Sequence, residues 1–209
     1  MDEKKYSKDI KYFFVLFFLK TDSISYFFLI PLMVLYVYSN LEFTPEQLRV
    51  FVIAALFSAT LSFTTTLLNN YLVVRPILKY FRMLIRGEDY DEDTYNAAFI
   101  RYRKLPFYHS IGAMFRWLFG MACVNILTIY FAEINTVQAV NMWLLMFISG
   151  SFSVILFFLL SEIFLQNVFE QGVFPAWRDV SRFFSISIFQ KVLFSIIVIM
   201  LVPFLSILT

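Results

Sequence analysis

Five apolar runs, at 24–39, 47–75, 107–131, 137–168 and 186–208, constrain this chain more than any other feature of its sequence. A run of about 20 apolar residues spans a hydrocarbon core roughly 30 Å thick. The runs therefore predict an all-α polytopic membrane protein with five transmembrane helices inside one helical domain, 23–209. The first run is short for a span unless Asp22 and Ser23 begin its helix and Tyr36 and Tyr38 sit at the interface. Composition agrees: 60% of residues are hydrophobic and 15% charged, and the mean hydropathy is +0.74, far from soluble norms. A net charge of +2 gives no reason to expect a nucleic-acid partner.

Residues 1–22 carry Lys4, Lys5, Lys8 and Lys11 beside Tyr6, Ile10, Phe13, Phe14 and Phe17. That mixture suits an interfacial amphipathic helix. The segment is not a cleavable leader, because Lys20, Thr21 and Asp22 follow its apolar core where small residues would mark a cleavage site. Thr44-Pro45-Glu46-Gln47 then reads as a helix start, with Thr at the N-cap, Pro at N1 and Gln at N3. No strong stop follows until Gly87. The second helix should therefore overrun the bilayer, with a kink expected at Pro76. The fourth helix, from about 137 to 169, should overrun it too. In this reading the even-numbered helices extend into the cytoplasm. The acidic run 88–93 lacks the ligand spacing of a calcium loop and reads as a solvated turn. A fifth helix that opens a hairpin with no second arm makes the chain look cut.

Basic residues set the orientation. Eight of the 17 lie within 75–116, five precede the first span and three flank the fifth, leaving Arg49 alone on the opposite side. The positive-inside rule then puts the N-terminus in the cytoplasm of an inner (plasma) membrane protein.

Ionisable groups within spans are costly and become candidates for function. Three stand out: His109, Arg116 and Glu162. His109 and Glu162 fall at matching depth, so they either pair and titrate together or both face headgroups and water. Arg116 lies one to two turns deeper. It either snorkels to the surface or meets a ligand carboxylate. An acidic lipid could set its head there and its tail among Phe115, Phe119, Phe152 and Phe157. Small residues, Ala54/Ala55 with Ser58/Ala59, Gly112, Gly120 and Ser149-Gly150-Ser151, mark close helix contacts. One cysteine and one histidine exclude a disulfide framework and any multi-histidine metal or haem centre built by this chain. No hydrolase, kinase or metalloenzyme motif is present, and no cofactor is expected.

The basic N-terminal helix, the inward extensions at 67–86 and 160–169, and Arg101-Tyr102-Arg103-Lys104-Leu105-Pro106 before the third span carry one resemblance. The arrangement resembles the N-terminal six-helix-type membrane domain of bacterial class III adenylate/guanylate cyclases. Here it ends before the sixth helix, the HAMP linker and the catalytic domain. The resemblance implies a membrane anchor and sensor that works as a homodimer, regulates a cytoplasmic nucleotide cyclase and takes a lipid-like ligand. A small transporter or channel subunit with a path through Thr64, Asn69, Asn70, Glu162 and Gln166, or an accessory scaffold, is the alternative.

Overall fold

The computed structural model describes residues 8–174. The expected fifth span, 186–208, lies outside them, as do residues 1–7. Every element among the described residues is helical: α1 (Lys8–Lys11), α2 (Phe13–Thr21), a π-turn (Ser25–Leu29), α3 (Ile30–Asn40), α4 (Pro45–Arg86), α5 (Glu92–Phe131) and α6 (Thr136–Phe169). Four stretches are long and apolar enough to cross a membrane: Phe13–Asn40, Pro45–Arg86, Glu92–Phe131 and Thr136–Phe169.

The helix boundaries follow local chemistry. Thr44 Oγ1 accepts from the Gln47 N–H at 3.2 Å, and Gln47 Oε1 accepts from the Thr44 N–H at 3.0 Å. This reciprocal cap starts α4, as its sequence predicts. Asn135 and Gln138 repeat the device at the head of α6. Gly87, at φ +64°, ends α4 in a left-handed turn that glycine adopts without strain. At 42 residues α4 is about 63 Å long, twice a hydrocarbon core, and it continues through Pro76.

One difference from the sequence reading concerns α5. It does not restart near residue 101 but begins at Glu92, so the third long helix overruns as far as the even-numbered ones do. The cause is the acidic run. Asp91 Oδ1 caps the Thr94 N–H at 2.9 Å, and Glu92 and Asp93 occupy the first turn, where negative charge opposes the helix dipole favourably. Pro106 lies inside the helix and does not end it.

Helix α5 is the central element, antiparallel to α4 on one side and α6 on the other. Two separate cores result. One joins Phe13 and Phe17 of α2 to Val74, Tyr80 and Phe81 of α4, Phe99 and Tyr102 of α5, and Phe164 and Leu165 of α6. The other joins Val37, Leu41, Phe51, Met121, Val124 and Met142 at the opposite end. The apolar face of α2, suited by sequence to headgroups, thus packs on protein: Ile10, Phe13 and Phe17 are all buried.

Candidate functional site

Between the two cores a single carboxylate joins three long stretches of the chain, and a histidine bound to it reaches the fourth. Asp22, at the end of α2, is 2% exposed. Its Oδ1 accepts from Arg116 Nη2 at 2.9 Å. Its Oδ2 accepts from Asn70 Nδ2 at 2.7 Å, from His109 Nε2 at 3.0 Å and from Thr21 Oγ1 at 3.2 Å. His109 and Arg116 stand seven residues apart on α5, two turns along one face, and Asp22 fits between them. An ionised carboxylate only accepts, so the hydrogen bond assigns the ring proton to His109 Nε2.

The other ring nitrogen, Nδ1, lies 2.6 Å from Ser161 Oγ on α6. Ser161 also donates to the Phe157 carbonyl at 2.6 Å. Ser161 Oγ thus joins the imidazole to the backbone of α6. Phe17 and Phe157 close over the imidazole, with ring centroids 4.9 and 5.3 Å from it. The order carboxylate, imidazole, hydroxyl is that of a hydrolase relay. Here Ser161 has no exposed surface and its hydroxyl faces the protein interior, so no substrate carbonyl reaches it.

Burying a carboxylate is costly unless it is paired and fully hydrogen-bonded. Asp22 meets that condition with four donors: Thr21 beside it, Asn70 of α4, and His109 and Arg116 of α5. Removing one partner of such a pair typically costs about 3–5 kcal/mol, because the other charge stays buried.

Beside the pair lies a cleft, open on one side, between the Asp22–Val34 stretch, α4 and α5. Its polar end holds Asp22, Ser25, Tyr26, Ser62, Thr66 and Arg116; Met33, Val34, Phe51, Ala55, Met121 and Val124 line the rest. The Tyr26 hydroxyl and Thr66 Oγ1 are 3.1 Å apart across it. Gly120 lets α4 and α5 meet at its floor: Ser58 Oγ donates to the Gly120 carbonyl at 2.8 Å, and a Cβ at Gly120 would stand 3.1 Å from that oxygen.

No family model, characterised protein or solved structure matches this chain. Geometry and sequence therefore carry the functional argument alone.

Two of the three residues singled out by sequence, His109 and Arg116, belong to one network. Glu162 is buried as well, but both ring nitrogens of His109 are taken by Asp22 and Ser161, so Glu162 is not its hydrogen-bond partner. Arg116 neither snorkels nor awaits an external carboxylate; Asp22 supplies one from within the chain. The four phenylalanines proposed around it are not gathered. Phe157 lines the cleft, Phe115 and Phe119 line a second, separate hollow with Arg116, and Phe152 is exposed. Sequence reasoning missed Asp22 and Ser161 as members of a site, and set Asn70 on a transport path and not in this network. Asp22 carried a usable signal, an acid between two apolar runs whose joint helix reaches Asn40. Its partners lie 87 and 94 residues away, which no local periodicity reports.

Proposed function

We propose that this chain is the membrane anchor and sensor region of a signalling protein, set in an inner (plasma) membrane with its N-terminus in the cytoplasm. It acts as a homodimer and regulates a cytoplasmic nucleotide cyclase, with a lipid of the bilayer as its input. The observation that carries this reading is the position of Asp22. It stands between a cleft at the apolar-surfaced end and an aromatic bundle at the basic end, hydrogen-bonded to residues of both. A change in what fills the cleft acts on Arg116, then on Asp22 and His109, whose ring packs against Phe17 of the bundle. The three long helices that leave the bilayer carry that change to whatever they adjoin. The cyclase comes from the resemblance of the basic N-terminal helix and inward extensions, and its support is that architecture.

The charge pattern supports the orientation. Arg75, Lys79, Arg82, Arg86, Arg103 and Lys104 are exposed around the aromatic end, whereas Glu42, Glu46 and Glu133 mark the other. Single cysteines replacing Lys4 and Arg101 should be labelled only after permeabilisation, and those replacing Glu42 and Glu133 in intact cells. The opposite pattern would reverse the topology. The sensor role is tested by joining residue 209 to a class III cyclase domain and measuring cyclic nucleotide. Asp22→Asn should change output severalfold at equal membrane abundance, and an unchanged output would leave a passive anchor. The transporter alternative has less support, since Thr64 and Gln166 are exposed while Asn70 and Glu162 are buried, so these side chains do not line one path.

A further inference from the structure

The cleft is amphipathic along its length. From Thr66 to Phe51 it follows α4 for 15 residues, about 22 Å at 1.5 Å per residue. That exceeds half of a roughly 30 Å hydrocarbon core, the depth of one leaflet. The enclosed part of the cleft is small, about 70 Å³, room for part of one chain and not for two. The flanking helices expose Leu32, Leu35, Leu56 and Phe57, so the occupant is taken to be a bilayer component that enters sideways.

The head of that occupant is decided by charge. Both ions line the cleft, but Arg116 is 13% exposed at its side chain and Asp22 2%, so an occupant meets more of the cation than of the anion. The Arg116 guanidinium is the one cation in that lining among the described residues. Its charge, however, is already answered by Asp22. A second carboxylate here would compete with Asp22 for one guanidinium in a poorly solvated place, and like charges so close disfavour ionisation of both. A neutral oxygen acceptor beside Arg116 adds no charge, and the hydroxyls of Ser25 and Ser62 supply further polar contacts.

We propose that this cleft binds a single-chain neutral amphiphile of the bilayer, its hydroxyl or ester oxygen at Arg116 and its tail along Ala55, Met33 and Met121. The proposal rests on the sensor reading for its consequence but not for its test. The full chain in zwitterionic nanodiscs would be photolysed with a monoacylglycerol bearing a diazirine in its tail, and separately with the matching diazirine fatty acid. Modified residues should fall among Met33, Ala55, Ala59 and Met121, with the neutral probe favoured by about tenfold at neutral pH, one carboxylate's worth of repulsion. Ala55→Trp, which fills the cleft without touching the ion pair, should cut labelling by a similar factor while the protein stays folded. Arg116→Lys should keep the pair and reduce the preference for the neutral probe. Equal or stronger labelling by the fatty acid would overturn the head assignment. Labels confined to outward residues such as Leu35 or Phe57, or indifference to Ala55→Trp, would overturn the site. Zero-length cross-links from cleft residues to 175–209 in place of probe labelling would show the chain itself as the occupant. Specific labelling in a protein whose cyclase output ignores the probe supports the site and overturns only the sensor reading.

Discussion

The two cores of this molecule are built from different residues, and the surfaces around them differ as well. At the basic end the interior is aromatic: Phe13, Phe81, Tyr102 and Phe174 meet at centroid distances of 5.0–6.4 Å, and the surface carries exposed Arg and Lys. Its buried hydroxyls are satisfied on backbone: Tyr80 donates to the Val173 carbonyl at 2.7 Å, and Tyr102 to that of Leu165. Large rings removed from water give the greatest hydrophobic return. At the other end Leu32, Leu56, Phe57, Ile126 and Phe147 are exposed, and lipid would be as apolar as the core. There the helices are held by close approach and polar links instead. Ser58 bonds Gly120, Asn125 Nδ2 donates to the Met142 carbonyl at 3.1 Å, and Gly150 lies close beneath Leu118. One end resembles the core of a water-soluble helical bundle; the other is a membrane packing. Asp22 sits at the seam.

The seam should be the most sensitive point. Asp22→Ala leaves Arg116 and His109 buried without their carboxylate and should cost about 3–5 kcal/mol, read as a lowered unfolding temperature in detergent. The Asp9–Lys20 pair, at 2.8 Å but exposed on Lys20, should cost at most about 1 kcal/mol when broken. Equal losses for the two would deny the seam its role.

The cores themselves should then differ. Phe13→Ala should cost about 3–5 kcal/mol, as for a ring in a water-facing domain. Met142→Ala, also fully buried, should fall near the lower bound of the usual range, about 2 kcal/mol, since lipid-facing packing lacks the full transfer term. If thermal unfolding in lipid gives the same loss for both, the contrast between water-facing and lipid-facing cores fails.

A smaller effect sharpens the membrane half. Ser58→Ala removes one interhelical hydrogen bond and should cost about 0.6 kcal/mol, the average for such bonds in a bilayer; a loss several times larger would mean that the Gly120 contact had collapsed with it. The smallest expected effect is at the exposed turn. Hydrogen bonds from Thr94 hold the Asp91 carboxyl below its ordinary value of 3.8. A carboxyl lowered on folding stabilises above that ordinary value and loses its contribution as pH falls through the lowered one. Wild type and Asp91→Ala should therefore differ in stability near neutral pH and converge in acid. A difference that persists in acid would show that the cap does not act through its charge.

The sequence by itself determined the membrane class, the capped starts of α4 and α6, the Gly87 stop, the small-residue contacts at Gly112, Gly120 and Gly150, and two members of the buried network. Each is a local matter of run length, capping chemistry, side-chain size or the cost of a charge in hydrocarbon. It did not determine that α5 begins at Glu92, because an acidic turn and an acidic first turn of a helix have the same composition and only the Asp91 cap separates them. Nor did it pair His109 and Arg116 with Asp22, or turn α2 inward against Tyr102 and Phe164. Those partners are separated by scores of residues, and which face of a nearly all-apolar helix meets which neighbour is set by tertiary packing, where hydrophobic periodicity has faded and only the fit of rings, glycines and one carboxylate remains to choose.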